Sequence, residues 1–513
     1  MRLKSASRTI AILALLMPIA STTAASEPLA LVPGVAQLFI DDSVLESQQE
    51  LVRTLHQPAK DYNGERPIIR AAPDSTLLAY GTIVFDTKLK KYVMFAQGYP
   101  TRAMYRLLSS DGMTWSQTDG RKLDRITLDT DLGEVPKDKA INAHGERGID
   151  LFSCCYDATD AVWPYKGWCW FANWGNDLEG TYYVRSRDGR AWERGRQVVN
   201  GFAGQGDPTC RTVEQDGRVL NGPGDVTLFT FDQRTRRYLG IFKFYNHEGV
   251  EHGNNLRSRA YLWRDQLDQP VDTRRIERIA LLPPAADRNG DTVFDEYYAS
   301  TAWRYESLWL GTLKIFHERG DYPHSSAGCA FFKLVASCDG LNWRKVAYLN
   351  DGGVAEVFLP NGKEGAQRGN NDGGYMSDFS QGPLRIGDEL VFYYSSSSWG
   401  KNHQKPQRLS GGGIFRARLR MDGFVSVDNG IATTRPLARK GGKDLFINAV
   451  GPVKVEALDA TEKVLGLVNI QGDSIKHAVK FGGESFGQIA GESNLRLRFT
   501  VERPGKLYSF VIR

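Results

Sequence analysis

A short phrase, Ser-x-Asp-Gly-x-x-Trp, recurs along the chain at a nearly constant spacing. It reads SSDGMTW at Ser109–Trp115, SRDGRAW at Ser186–Trp192 and SCDGLNW at Ser337–Trp343, with weaker copies around Asp265 and Asp422. The aspartates stand at positions 111, 188, 265, 339 and 422, so the steps are 77, 77, 74 and 83 residues. Asp-Gly favours a tight reversal at the end of a strand, because glycine accepts a positive φ and aspartate bonds its own backbone. Five such repeats predict an all-β fold, a five-bladed β-propeller in which each Trp packs between neighbouring sheets.

Each repeat contains three strand-like runs, and the third run ends at the Asp-Gly phrase. The second repeat, for example, reads DLFSCCYD, GWCWFANWG and TYYVRSRDG. Alternating or wholly apolar runs of this length are typical of strands, and helical periodicity is almost absent. The segment Val35–Ser47 precedes the first repeat, and we predict that it completes the last sheet and closes the propeller.

The length of the chain and the end of the repeated pattern near residue 430 indicate more than one domain. A chain of 513 residues is longer than a single hydrophobic core usually accommodates. We expect a signal peptide at 1–25, the propeller at 26–430 and a small C-terminal β-sandwich at 431–513, where short alternating strands separated by Gly, Asp and Pro replace the repeats. The N-terminal segment has a basic start, an apolar run and small residues at Thr23, Ala24 and Ala25, which predicts cleavage just after Ala25 and a secreted or periplasmic protein.

Composition argues against two classes of partner and leaves undecided whether the cysteines form a disulfide. The net charge is only +5, and no Lys/Arg block with interleaved aromatics occurs, so we expect no nucleic acid partner. No later stretch reaches the ~20 apolar residues that span a bilayer, so we expect no membrane partner. Cys154 and Cys155 lie on one predicted strand and Cys169 on the next, which allows one disulfide in the second repeat. The alternative is buried free thiols.

Several phrases resemble a known group of carbohydrate-active enzymes. FIDDSVLES near the start, the SxDGxxW repeats, LRMDGFVSVD, and the closing VKVEALDA, GDSI, LRLRFTVE and LYSFVIR resemble bacterial exported proteins related to glycoside hydrolase families 32 and 43. The resemblance implies a five-bladed propeller and hydrolysis of glycosidic bonds by two Asp and one Glu from successive blades. The Trp-x-Asn-Asp-Pro-Asn-Gly phrase of family 32 is missing, which argues against fructan cleavage.

Carboxylates stand at matching positions before the inner strands. Asp150 and Asp225 each lie seven residues before the aspartate of an inner turn, Asp157 or Asp232. Equal positions in adjacent blades face the same central funnel, although both residues could instead bond backbone amides at strand starts. Following the resemblance, we assign proton donation to Glu296, the role of general base to Asp150, and positioning and pKa control to Asp225.

A second set of residues is placed to bind substrate near the same strand ends. An Arg or His there could bind a carboxylate or sulfate on a sugar or simply solvate a loop, an acid could hold hydroxyls, and a Trp could stack on a sugar face. These candidates are Asp295, Asp378, Arg147, His144, Arg70 and Trp174.

One segment partly matches a calcium loop. DRNGDTVFD offers oxygen ligands at Asp287, Asn289 and Asp291, but Thr292 replaces the expected glycine and no bidentate Glu follows. An ordinary Asn-Gly turn is the competing interpretation, and we expect no cofactor apart from this calcium candidate.

The sequence therefore predicts an exported glycoside hydrolase-like protein that acts on a poly- or oligosaccharide. A non-catalytic glycan-binding propeller is the alternative, because the same acids and aromatics could hold sugar hydroxyls without cleaving a bond. A propeller that serves only as a structural or partner-binding module is the third possibility.

Overall fold

The computed structural model describes most of the chain after residue 26. The described residues are 27–72, 75–79, 82–99, 103–119, 122–128, 148–172, 178–201, 206–245, 257–283, 295–318, 328–365, 371–401, 412–439, 441–490 and 494–513. Within these ranges the helices are the short α1 (Phe486–Ala490) and two 3-10 turns at Asp61–Gly64 and Thr273–Arg275. No helix of these ranges is long and apolar enough to cross a membrane.

The N-terminal strands precede the first blade and pair with sheets formed much later in the chain. They are β1 (Leu29–Leu31), β2 (Gln37–Leu38), β3 (Leu45–Leu55), β4 (Ala59–Lys60) and β5 (Ile69–Arg70).

The strands of the first two blades pair antiparallel, apart from one parallel pairing at the edge of the second blade. In the first, β8 lies beside both β6 and β7 and the order continues to β9 and β10, while the order in the second is β12-β13-β14-β15-β11. The strands are β6 (Thr76–Leu78), β7 (Ile83–Asp86), β8 (Lys91–Tyr99), β9 (Met104–Ser109), β10 (Asp124–Arg125), β11 (Thr127–Leu128), β12 (Gly148–Tyr156), β13 (Tyr165–Ala172), β14 (Gly180–Ser186) and β15 (Ala191–Asn200).

The third and fourth blades follow the same plan. A hairpin of β16 (Arg211–Gln215) and β17 (Arg218–Gly222) leads into the third blade, whose order is β18-β19-β20. The central strands of the fourth blade are β23 and β24. The strands are β18 (Leu228–Asp232), β19 (Arg237–Phe244), β20 (Ser258–Arg264), β21 (Asp295–Ser300), β22 (Trp303–Tyr305), β23 (Leu308–Glu318), β24 (Gly328–Ser337), β25 (Arg344–Lys345) and β26 (Val357–Leu359).

The fifth blade is completed by N-terminal strands, and a nine-stranded sheet follows it. Its strands β27 (Met376–Phe379), β28 (Leu384–Ile386), β29 (Glu389–Ser396) and β30 (Gly413–Arg420) are extended by β4 and β5, which pair with β30. The last strands are β31 (Val425–Thr434), β32 (Leu437–Arg439), β33 (Leu445–Val450), β34 (Val453–Leu458), β35 (Val464–Ile470), β36 (Asp473–Val479), β37 (Arg496–Val501) and β38 (Lys506–Ile512). The predicted boundary at residue 430 stays a prediction and falls within β31.

The closing segment differs from the predicted one. The propeller is closed from the N-terminal side, but by β4 and β5 and not by Val35–Ser47. That segment supplies β2, which pairs with β38, and the start of β3, which pairs with β31 in the C-terminal sheet. The two segments are distinguished by the strands with which they pair, which lie far away in the sequence.

The repeated phrase forms the turn that its residues predict. In the first copy, the Ser109 hydroxyl accepts the Gly112 N–H at 2.9 Å, and the Asp111 carboxylate accepts the N–H groups of Met113 and Thr114 at 2.8 and 2.7 Å. Gly112 has a φ of +73°, which glycine adopts without strain. The corresponding serine–glycine bonds in the second and fourth blades are also 2.9 Å.

The tryptophan of each phrase packs between blades, as predicted. Each indole is at most 5% exposed and contacts an aromatic ring of the preceding blade. The ring pairs are Trp115 with Tyr393, Trp192 with Phe95, and Trp343 with Tyr261. Five apolar clusters fill the five seams, and a sixth fills the C-terminal sheet.

Of the two alternatives for the cysteines of the second repeat, a disulfide or buried free thiols, the structure shows the free thiols. Cys154 and Cys155 are buried free thiols. The register of β12 and β13 places Cys154 opposite Gly167 and Cys155 opposite Lys166. Cys169 lies two residues beyond Gly167, or about 6.6 Å along the strand, which is too far for the short Cβ separation of a disulfide.

Candidate active site

Three inner strands are irregular where the predicted acids stand. The pairing register shifts in β12 between Asp150 and Ser153, in β21 between Tyr297 and Ala299, and in β27 between Met376 and Asp378. Leu151, inside the first of these bulges, has a φ of +53°. Bulges re-aim side chains, and strained backbone is concentrated at functional sites. The side chains of Asp150 and Asp378 lie outside the described part of the structure.

Two of the predicted catalytic acids, Asp225 and Glu296, have side chains that the structure describes. Asp225 stands just before β18 and forms an ion pair with Lys243 of β19. The Asp225 side chain is 46% exposed, whereas that of Lys243 is 12% exposed. Partial burial raises the pKa of Asp225, but the charge of Lys243, with Arg257 and Lys401 nearby, outweighs it and lowers the pKa to about 2. Asp225 is therefore ionised over the whole working range of pH.

The second described carboxyl, Glu296, lies on β21 in the next blade and is 1% exposed. It forms an ion pair with Arg257, which stands just before β20. Burial raises the pKa of Glu296, while Arg257 acts in the opposite direction. Its Oε1 atom has no hydrogen-bond partner among the described residues. The carboxyl thus favours its protonated form more than an ordinary glutamate does.

Two lysines that sequence reasoning missed also reach this cluster. Lys314 of β23 is fully buried and donates to the Tyr375 hydroxyl at 3.0 Å. Lys401, which follows β29 of the fifth blade, donates to the Tyr298 hydroxyl at 2.6 Å. A single Lys inside the apolar run SLWLGTLKIFH was the available signal, because lysine is almost never fully buried unless it is paired.

Asp295 and Arg70 lie apart from this cluster in different ways. Asp295 precedes Glu296 on β21, and strand alternation turns it to the other face, where it bonds His317 at 2.8 Å. Arg70 is exposed on β5, the outer closing strand of the fifth blade, where its backbone pairs with Gly413. No contact in the described ranges joins Arg70 to the carboxyls.

Asp372, an acid that precedes the fifth inner strand, has a structural role. It is fully buried and accepts the Lys60 ammonium at 2.5 Å and the Tyr394 hydroxyl at 2.8 Å. Since Lys60 belongs to β4, this ion pair ties the closing strand to the fifth blade.

The remaining candidates lie outside the described residues. They are His144, Arg147, Trp174 and the calcium candidates Asp287, Asn289 and Asp291. Within the described ranges, no group of three His, Cys, Asp or Glu side chains is placed to hold a metal ion.

The two described carboxyls from adjacent blades have pKa values shifted in opposite directions. One carboxyl whose pKa is raised by burial and another whose pKa is lowered by neighbouring cations form the kind of pair that acid/base chemistry at one centre uses. Such a pair can donate a proton to a leaving oxygen while a negative charge faces a developing cation.

The fold and this site define a five-bladed β-propeller protein with a cluster of charged side chains near the starts of its inner strands. No protein-family model matches the chain, and no curated protein does.

Several solved structures are similar to it at low identity. A thermostable family-43 glycoside hydrolase has 12% identity and a TM-score of 0.41, with 72% of this chain and 97% of that chain covered. A variant fructofuranosidase from Schwanniomyces occidentalis complexed with fructosylnystose has 10% identity and a TM-score of 0.38, with coverage of 88% and 98%. An exo-beta-1,3-galactanase from Phanerochaete chrysosporium with galactose has 8% identity and a TM-score of 0.34, with coverage of 86% and 96%. At such values the activity has to be argued from the site itself.

Proposed function

We propose that the protein is an exported glycoside hydrolase that cleaves glycosidic bonds of a poly- or oligosaccharide by carboxyl acid/base catalysis in the propeller funnel. The observation that carries this proposal is the pair Asp225 and Glu296, whose pKa values are shifted in opposite directions by their surroundings. Glycoside hydrolysis needs one protonated and one ionised carboxyl beside the same bond.

The roles follow from the two environments. Glu296 donates its proton to the glycosidic oxygen as the bond to the anomeric carbon breaks, and Asp150 takes a proton from the water that adds to that carbon. Asp225 keeps its negative charge, which stabilises the positive charge that develops on the sugar ring. The bulge beside Asp150 supports its place in this set, because it bends the inner strand next to the funnel.

Export is proposed from the first 25 residues, whose basic, apolar and small-residue order is that of a secretory signal. A secreted or periplasmic location would expose the funnel to extracellular carbohydrate.

A non-catalytic glycan-binding propeller is the second candidate. The ion pairs of Asp225 with Lys243 and of Glu296 with Arg257 favour it, because both carboxyls already hold a cation. In that case the pocket would retain a glycan without cleaving it.

A reducing-sugar assay on a broad polysaccharide and oligosaccharide panel tests both candidates. Variants Asp225→Asn, Glu296→Gln and Asp150→Asn are compared with Asp216→Asn, which changes an exposed carboxyl in the β16–β17 turn. Loss of general acid catalysis costs about 10²- to 10⁴-fold, so Glu296→Gln should lower the rate at least 100-fold. The rate of the native protein should fall as the pH rises, because Glu296 then loses its proton.

The outcomes separate the candidates. Release that depends on the three site carboxyls and not on Asp216 would establish the hydrolase. Release that survives all three substitutions would place the chemistry elsewhere. No release from any substrate, together with retention on immobilised glycans, would make the protein a binding module.

A further inference from the structure

Tyr298 lies in the β-bulge of the strand that carries Glu296. The pairing register of β21 with β23 shifts between Tyr297 and Ala299, so Tyr298 is the extra residue and has no cross-strand partner on β23. Bulges re-aim side chains and are common beside active sites. Tyr298 is half-buried, whereas Tyr297 and Ala299 on either side of it are buried. The bulge therefore brings an aromatic side chain of β21 to the surface.

The side chain of Tyr298 lies beside that of Glu296. Arg257 forms an ion pair with Glu296, and its guanidinium carbon is 4.6 Å from the centroid of the Tyr298 ring. One guanidinium thus contacts both side chains, which places the phenol next to the proposed proton donor. Glu296 is only 1% exposed, so a saccharide bound at this carboxyl is within reach of the more exposed phenol.

Neighbouring side chains hold the ring of Tyr298 in place. Its centroid is 5.3 Å from that of Phe316 and 6.2 Å from that of Tyr375, and these two rings are themselves 5.9 Å apart. The ammonium groups of Lys314 and Lys401 lie 4.6 and 4.7 Å from the Tyr298 centroid. Aromatic pairs and cation–π contacts each contribute about 0.5–1.5 kcal/mol, so together they restrict rotation of the ring. The hydroxyl is the part of this side chain that is left to meet a ligand.

The hydroxyl of Tyr298 accepts one hydrogen bond and has a hydrogen to donate. The Lys401 ammonium donates to its oxygen at 2.6 Å. Among the residues that the structure describes, this is the hydrogen bond that the hydroxyl makes, so the phenolic hydrogen has no acceptor there. A phenol that accepts a hydrogen bond from a cation is polarised, which makes it a stronger donor. The hydroxyl can therefore donate to an oxygen atom of a ligand in a fixed direction.

We propose that Tyr298 is a specificity-determining residue that donates a hydrogen bond to one hydroxyl group of the saccharide bound beside Glu296. The inference rests on the proposed function, because it takes the ligand to be a saccharide, and it adds the contact that selects among sugars. A sugar with a hydroxyl at the position of the acceptor makes this bond, whereas a sugar that lacks that hydroxyl loses it and binds less tightly. Lys401 acts through the phenol, whose orientation it fixes.

Ligand-observed NMR titrations of the full chain with methyl glycosides test the proposal. The probes are methyl galactoside, arabinofuranoside, xyloside and fructofuranoside, each beside its monodeoxy analogues. The native protein is compared with Tyr298→Phe, which removes only the hydroxyl, and with Tyr92→Phe. Tyr92 is the matched control, because it is also half-buried and lies next to the β7–β8 turn of the first blade. Thermal unfolding of each variant shows whether it is folded.

We expect at least one glycoside to bind the native protein, and Tyr298→Phe to weaken that binding about 3- to 10-fold, which is the usual effect of one hydrogen bond. Tyr92→Phe should bind it like the native protein. One monodeoxy analogue should bind the native protein as weakly as Tyr298→Phe binds the parent glycoside, and Tyr298→Phe should bind parent and analogue equally. A residue that only supports the fold would weaken all analogues alike, so equal binding of this one pair identifies the contact.

Three results would overturn the inference. They are binding of none of the glycosides to the native protein, a folded Tyr298→Phe variant that binds every glycoside like the native protein, and a loss of binding that is the same for every monodeoxy analogue. Failure of the proposed function gives different results. Cleavage in the reducing-sugar assay with the same KM in Tyr298→Phe and the native protein would remove the inference and keep the hydrolase. Equal binding of parent and one analogue by Tyr298→Phe, without any cleavage by the native protein, would remove the hydrolase and keep the inference.

Discussion

Removal of the Trp192 indole should be among the most costly substitutions in the propeller. The side chain is 3% exposed, and three rings surround it edge to face: Phe152 at 4.9 Å, Phe95 at 5.6 Å and Tyr165 at 6.0 Å between centroids. Its Nε1 also donates to the Gly189 carbonyl at 3.2 Å, which fixes it to the turn of its own phrase.

The magnitude follows from this surrounding. Burial of a large aromatic ring is worth about 3–5 kcal/mol when it is cut back to alanine, and such ring pairs contribute to that figure. We expect Trp192→Ala to lower the free energy of unfolding by about 4 kcal/mol. Trp192→Phe keeps a ring but loses the Nε1 hydrogen bond and some volume, so its cost should be about 1–2 kcal/mol.

A second tryptophan of the same blade provides the matched control. Trp163 is only half-buried and lies between the guanidinium groups of Arg185 and Arg187, at 4.0 and 4.4 Å from the ring centroid. Exposed cation–π contacts contribute about 0.5–1 kcal/mol each, so with two of them Trp163→Ala should cost about 1–2 kcal/mol. Urea unfolding followed by far-UV circular dichroism measures all three variants. A cost for Trp192→Ala no larger than that for Trp163→Ala would refute the reasoning that the repeated Trp holds adjacent blades together.

Three further predictions concern stability and reactivity. Partial burial raises the pKa of Asp157, but hydrogen bonds from Thr159 and charged neighbours lower it to about 2. The carboxylate should therefore contribute about 2 kcal/mol above pH 4, a contribution lost as the pH falls toward 2, and acid titration of the stability of Asp157→Asn should show the difference disappearing over that range. Tyr305→Phe removes the hydroxyl that donates to the buried Asp422 at 2.7 Å. It should lower the free energy of unfolding in urea by about 1.5–3 kcal/mol. An unchanged free energy would mean that another donor replaces the hydroxyl. Burial raises the pKa of Cys155 to about 12, so this thiol should react with a disulfide reagent only after unfolding, and rapid labelling of the native protein, located by mass spectrometry, would contradict its burial.

The sequence was a good guide where structure is decided locally. The serine, aspartate and glycine of each phrase bond one another within a few residues, so the turn and the strand before it can be read from the phrase alone. The position of Trp192 follows from the same spacing. These local signals, repeated five times, were enough to predict the propeller.

Long-range pairing could not be read in this way. Val35–Ser47 and the residues of β4 are both short strand-like segments before the first blade, and nothing local tells which one meets β30. The state of the cysteines in the second repeat could not be decided from the sequence for a related reason, because the distance of Cys154 from Cys169 depends on the register between two strands.

The site was predictable only in part. Asp225 stands out because it shares with Asp150 the place seven residues before a turn aspartate, whereas Glu296 was assigned from the family resemblance alone; the structure places Asp225 and Glu296 near the same cations. The catalytic roles given to them and to Asp150 stay predictions. Lys401 and Arg257 were missed because they lie outside the strands, in the third and fifth blades, and their proximity to Tyr298 exists only after the blades have packed.

The pairing of the first strands with the last has a consequence for synthesis of the chain. Leu45 pairs with Thr434, and Arg496 donates to Glu46 across 450 residues of sequence. Residues that leave the ribosome early must therefore wait for partners made at the end, and contacts of such separation form slowly. The fifth blade and the C-terminal sheet keep open edges until translation is nearly complete. A chain with this delay cannot complete its C-terminal sheet before its last strands are made, which is compatible with the export that we propose.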